Sequence, residues 1–117
     1  MIGVDTGLIV ALFLKEDDER HEAAKTLFRS ARNHGGLFVS ATALLEAVWT
    51  LKALHGYDDA AMKRLTLSLC SLPGVVVEHM EAVFAYATDA DHNVPLSASL
   101  IDAANRSAGC SHTERLE

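Results

Sequence analysis

Asp5, Thr6 and Glu46 are the residues whose types and spacing could do chemistry. Asp5 ends the apolar run Met1-Ile2-Gly3-Val4, and Thr6 stands where a helix should begin. Open α/β proteins place their chemistry just beyond the carboxyl ends of parallel strands. A carboxylate there is costly to desolvate without a partner, and a metal cation is a natural one. The plainer role is structural, because Asp is a favoured helix N-cap. Glu46 lies beside the apolar stripe Leu44, Ala47, Val48 and Leu51, in the helix expected after the second strand. Its plainer role is a solvated surface Glu. Together the two acids follow neighbouring strands and can converge on one crevice. Hard cations such as Mg²⁺ and Mn²⁺ prefer such clusters of oxygen.

The elements that must position these acids follow from apolar periodicity. Residues 2–5 read as a strand, and 6–14 as a short, nearly all-apolar helix. Residues 17–33 form a second helix, acidic at its start and basic at its end, as the macrodipole favours. His34-Gly35-Gly36 stops it, and 37–40 is a second strand. Residues 42–55 and 58–71 are helices, with Gly56 between them and Pro73-Gly74 after. Val75-Val76-Val77 is a third strand, 79–89 and 97–108 are the last helices, and Asp91-His92-Asn93 is a loop. Short apolar strands alternating with helices predict one α/β domain over residues 1–117, a three-layer α/β/α arrangement with a small parallel sheet.

With those positions in place, the chain resembles PIN-domain ribonucleases. Ile2-Gly3-Val4-Asp5-Thr6 and Val39-Ser40-Ala41-Thr42-Ala43-Leu44-Leu45-Glu46 carry the likeness, as does the stretch from Ala98 to Cys110. That last stretch in the family reads roughly D-A-L-I-x-A-x-A-x-x-x-G-C. The closer likeness is to VapC-type toxins of prokaryotic type II toxin–antitoxin pairs. The resemblance implies a Mg²⁺- or Mn²⁺-dependent endoribonuclease that cuts RNA and is neutralised by an antitoxin protein. It implies Asp5 and Glu46 as catalytic, metal-binding residues and Thr6 as a supporting hydroxyl.

The pattern also breaks. The family's third acid falls on Ala98, which cannot bind a metal. Asp102 lies one helical turn on, about 5.4 Å along the axis, and is a substitute ligand or simply a polar helix residue. Asp89 and Asp91 are further acids of helix-end or loop type. The expected fourth acid falls near Glu117, in surroundings unlike the family's. The chain stops where a fourth strand should follow Gly109-Cys110, and Leu116-Glu117 reads equally as chain or as the remnant of an affinity tag. A missing last strand exposes the edge it would cover. With two acids only, a hydrated Mg²⁺ is held weakly. The expectation is therefore a folded chain with little ribonuclease activity.

Composition bounds the alternatives. Of 117 residues 50% are hydrophobic and 22% charged, which suits a packed domain. A formal net charge of −6 argues against a general electrostatic DNA-binding module. No apolar run is long enough to span a bilayer and no signal-peptide pattern opens the chain, so a cytoplasmic protein is expected. Cys70 and Cys110 have no metal-ligand spacing, nor do the histidines. Arg20, Lys25, Arg29, Lys52, Lys63 and Arg64 read as solvated faces that could also meet phosphate. Trp49 reads as core or interface packing, with base stacking as the functional alternative. Leu8, Leu12, Phe13, Leu27 and Phe28, with Trp49 and Leu54, offer more apolar surface than a small monomer hides, which predicts a homodimer with an antitoxin groove nearby. The competing readings are a catalytically inactive PIN-like module that still binds an antitoxin, and a phosphoacceptor receiver using Asp5. The second lacks the later Asp and Lys that such a domain needs.

Overall fold

The structure is a computed structural model that describes residues 1–15, 18–89 and 94–116. Its elements in order are β1 (Ile2–Gly3), α1 (Thr6–Phe13), α2 (Glu19–Arg29), a 3-10 turn (Ala31–His34), β2 (Leu37–Val39), α3 (Ala41–His55), α4 (Asp59–Cys70), β3 (Val75–Val77), α5 (Met80–Thr88) and α6 (Leu96–Ser107). The three strands are parallel in the order β1-β2-β3. This is the expected PIN-like α/β/α arrangement.

β2 lies between the other two strands, pairing Leu37 with Ile2 and Val75, and Phe38 with Gly3 and Val76. Leu37 and Val39 are fully buried, and Val4, Val75 and Val77 join them in the core. Side chains alternate along a strand, so Gly3, Phe38 and Val76 form the opposite row. That row is thinly covered: Val76 is 47% exposed, and a Cβ added at Gly3 would meet no atom within 4 Å. Ile9 and Phe13 of α1, Phe28 of α2, Leu44 and Leu51 of α3, and Met62 and Leu69 of α4 complete the interior.

Capping explains where the helices differ from expectation. Asp18 caps α2, its Oδ1 accepting from the His21 N–H at 2.8 Å, so the helix starts later than residue 17. It also ends earlier, where the Ser30 hydroxyl donates to the Leu27 carbonyl at 3.1 Å and a 3-10 turn takes over. Ladder pairing continues past β1, the Val4 N–H donating to the Phe38 carbonyl at 3.0 Å. Among the described residues beyond Gly109 there is no fourth strand; the tail folds back on α6.

The apolar surplus expected on the early helices is mostly absent. Phe13 and Phe28 are core residues and Leu8, Leu12 and Leu27 pack against them, because α1, α2 and α3 cover one another. Trp49 and Leu54 stay exposed. On α5 the buried aromatic is Tyr86, and Phe84 faces out. No helix among the described residues is long and apolar enough to cross a membrane.

Candidate active site

β1 runs directly into Asp5, whose extended backbone makes it the N-cap of α1. Its Oδ1 accepts from the Leu8 N–H at 3.0 Å. The capping role is therefore present, and the carboxylate it anchors is exposed at the carboxyl end of the sheet. Thr6, the next residue, donates its Oγ1–H to Glu46 Oε1 at 2.7 Å. That bond spans the contact between α1 and α3 and joins residues 40 positions apart in sequence. A short hydrogen bond to a carboxylate is of the stronger, charge-assisted kind. Glu46 itself is exposed on α3, and its backbone carbonyl accepts from the Thr50 hydroxyl at 2.8 Å.

The start of α3 is built with unusual care. Ser40 caps it, its Oγ accepting from the Ala43 N–H at 3.1 Å. Glu78, at the end of β3, reaches across so that its Oε1 accepts from the Ala41 N–H at 2.8 Å. The Glu78 N–H meanwhile donates to the Val39 carbonyl at 2.9 Å, extending the ladder. Helix N-termini expose unpaired N–H groups and favour negative charge. Glu78 thus fastens β3, β2 and the helix that carries Glu46. The sequence shows an acid after the third strand, but nothing in it says that this acid crosses to α3.

The remaining acids go elsewhere. Ala98 sits half-buried in the first turn of α6 and offers no donor. Asp102 is bound by the tail: Arg115 Nη2 donates to its two oxygens at 3.0 and 3.2 Å. Hydrogen bonds from the Thr113 hydroxyl and the Arg115 guanidinium, with the charge of Arg115 and Arg106, hold Asp102 below the usual carboxylate range. Asn105 steadies Thr113, its Nδ2 donating at 3.0 Å. Asp89 ends α5, and its carbonyl accepts from Lys63 Nζ at 2.6 Å. Asp91, His92 and Glu117 lie outside the described residues. Among the described residues no group of three or more His, Cys, Asp or Glu could hold a metal ion. His21 Nδ1 donates to the Ala11 carbonyl at 2.9 Å, a helix-to-helix tie. Cys70 packs against the core, and burial pushes its thiol up.

A second charged cluster, missed in sequence, gathers around Asp59 of α4. Asp59 receives Lys52 at 3.3 Å, Lys63 at 3.6 Å and the Tyr86 hydroxyl at 3.2 Å. Burial alone would raise the Asp59 carboxyl, but the hydrogen bond and charge of Lys52, then Tyr86 and Lys63, outweigh it and hold it low. Burial first, then the Asp59 charge, pushes the Tyr86 phenol well up. No periodicity rule links residues on three helices.

Comparison with known families settles the class. The model of the PIN domain matches residues 2–105. The chain belongs to the PIN-domain family. The match covers Asp5, Thr6, Glu46, Ala98 and Asp102. PIN domains are generally nucleases that act on nucleic acid and typically use divalent metal ions, so a nuclease function holds for this PIN domain at family level. No curated protein and no solved structure matches the chain.

Proposed function

We propose that this PIN domain is a metal-dependent endoribonuclease of VapC toxin type, neutralised by an antitoxin. In this reading Asp5 and Glu46 are the carboxylate ligands of Mg²⁺ or Mn²⁺, and Thr6 orients Glu46. The Thr6–Glu46 hydrogen bond carries the reading, because it draws the acid of α3 to the residue beside Asp5. A solvated Glu with no role has no need of that tie.

The donors suit the cation's chemistry. Mg²⁺ keeps several waters and is held by one or two carboxylates together with substrate phosphate. Exposed Asp5 and Glu46 match that open arrangement better than a closed cage. A divalent cation supplies an acidified water as nucleophile and neutralises charge on the attacked phosphate. Leu8 N–H holds one oxygen of Asp5, which leaves ligation to the other. Thr6 fixes one oxygen of Glu46 in the same way. Thr6 and Thr50 also line a groove of about 470 Å³ that includes Arg20 and His55. The Arg20 guanidinium suits a phosphate of an RNA strand leading away from the acids.

The antitoxin site in this reading is a separate groove of about 580 Å³ between α1, α2 and α4. Leu12, Leu65, Leu69 and Leu72 form its floor, with Lys15, Lys25 and Arg29 around it. An amphipathic segment with acidic flanks fits that chemistry. Homodimerisation belongs to the same reading, with the uncovered outer edge of β1 available to a second copy.

The alternative of an inactive PIN module draws on Ala98 and on the Arg115–Asp102 pair. RNA cutting by the unmodified chain in Mn²⁺ separates the two: slow cutting supports the enzyme, and none supports the inactive module. The unmodified chain should bind Mn²⁺ weakly, and Ala98→Asp should tighten binding by roughly tenfold or more, as a further carboxylate would. In that strengthened form Asp5→Asn should abolish Mn²⁺-dependent RNA cutting while leaving the fold intact. Retained cutting would reject the metal role of Asp5.

A further inference from the structure

Trp49 follows Glu46 by three positions on α3. Residues so spaced are neighbours on a helix surface, about 4.5 Å apart along the axis. The indole is 64% exposed, although Leu44, Val48 and Leu51 of the same helix lie in the core. It forms one wall of a cavity of about 370 Å³ whose other walls are Leu45, Lys52, Asp59, Tyr86 and Ser97. Apolar Leu45, Val48, Pro95 and Leu96 line it together with the polar groups of Lys52, Asp59, Tyr86 and Ser97. Lys52 lines the same cavity as the indole, and its ammonium is tied to Asp59 at 3.3 Å.

We propose that Trp49 is a stacking platform for one base of a single-stranded RNA, next to the scissile phosphate, with Lys52 meeting the neighbouring phosphate. This rests on the nuclease reading for its orientation, since the acids mark where the strand must pass. An aromatic face beside a cation is the pairing used for single-stranded nucleic acid, and it tolerates any base because every base has a π-face. In a chain with net charge −6, a lysine fixed at such a face is a local exception that favours a polyanion. The Asp59 oxygens are already engaged by Lys52, Lys63 and Tyr86, so the platform selects for a base without reading which base it is.

Trp49 is the only tryptophan in the chain, so intrinsic fluorescence reports on this site alone. The probe is a short 2′-O-methyl RNA, titrated in EDTA so that no cutting occurs. The expected result is saturable quenching by this probe and none by inorganic polyphosphate of equal charge. By labelled-probe anisotropy, Trp49→Ala should weaken binding on the order of tenfold, and Trp49→Phe should recover most of it. Lys52→Ala should reduce the salt dependence by about one phosphate contact. Quenching without any Mn²⁺-dependent cleavage, even in Ala98→Asp, would leave the platform standing and reject the nuclease reading. Cleavage with unchanged fluorescence, and an unchanged affinity in Trp49→Ala, would overturn the platform and leave the nuclease reading standing. A concentration-dependent blue shift without RNA, and no quenching with it, would assign Trp49 to an interface between copies and overturn the proposal.

Discussion

At the scale of single residues, Thr6 fixes what a surface glutamate cannot fix for itself. A glutamate on a helix surface samples several rotamers, and the hydroxyl at 2.7 Å selects one of them. Thr6→Val removes the donor while keeping the shape. It should weaken Mn²⁺ binding by about 1.5–2 kcal/mol, the low end for hydrogen bonds to charged groups, with little change in Tm. Thr6→Ser should restore it, and calorimetric Mn²⁺ titration of the Ala98→Asp background reads both. The low carboxyls of Asp59 and Asp102 make a separate prediction. Their folded pKa values lie below the ordinary 3.8. Each therefore stabilises the fold fully above that value, and the contribution is lost as pH falls through the lower folded value. Denaturant midpoints should be flat from neutral pH down to about 4 on their account and fall below it. In Asp59→Asn that acid-side fall should shrink.

At the scale of elements, α3 is the part that must be placed correctly. It carries Glu46 on one side and Trp49 beside it, and its start is held by Ser40 and by Glu78 from β3. Removing a side-chain cap costs about 1 kcal/mol. Glu78→Ala should cost that much in urea unfolding and should also weaken Mn²⁺ binding, because the helix start loses its tie to the sheet. Glu78→Gln keeps an acceptor and should lose less on both counts. A loss of stability with unchanged Mn²⁺ affinity would show that Glu78 supports the fold without positioning Glu46. The tail is the other informative element. By pairing Arg115 with Asp102, it satisfies the acid of α6 that helical spacing offers as a substitute for the one missing at Ala98.

At the scale of the molecule, the question is what covers the sheet. Among the described residues β1 pairs with β2 alone, Ile2 is 43% exposed, and the Gly3–Phe38–Val76 row is thinly covered. Open edges invite pairing with another chain. Light scattering across a wide concentration range should show a dimer, and Ile2→Lys should shift it toward monomer by placing a charge on the edge. A monomer at every concentration would reject the dimer. The large surplus of apolar helix surface no longer argues for it, since the early helices bury that surface against each other.

Much of this architecture was legible in the order of residues. Apolar runs ended by Asp5, by Gly35-Gly36 and by Pro73-Gly74 place three short strands between helices, because backbone sterics and apolar periodicity are local properties. Asp5, Thr6 and Glu46 stand out for the same reason: each follows a strand closely, where a parallel sheet delivers side chains to one edge. The gap proposed at Ala98 rests on the sequence alone, since an alanine brings no donor whatever its surroundings. Tertiary structure alone decided the rest. Thr6 meets Glu46, Glu78 crosses to Ala41, and Asp59 collects partners from three helices, all through contacts between residues distant in the chain. It likewise decided that Phe28 is core while Trp49 is surface. Both are aromatic residues on amphipathic helices, and only the packing of neighbouring helices determines which one water reaches.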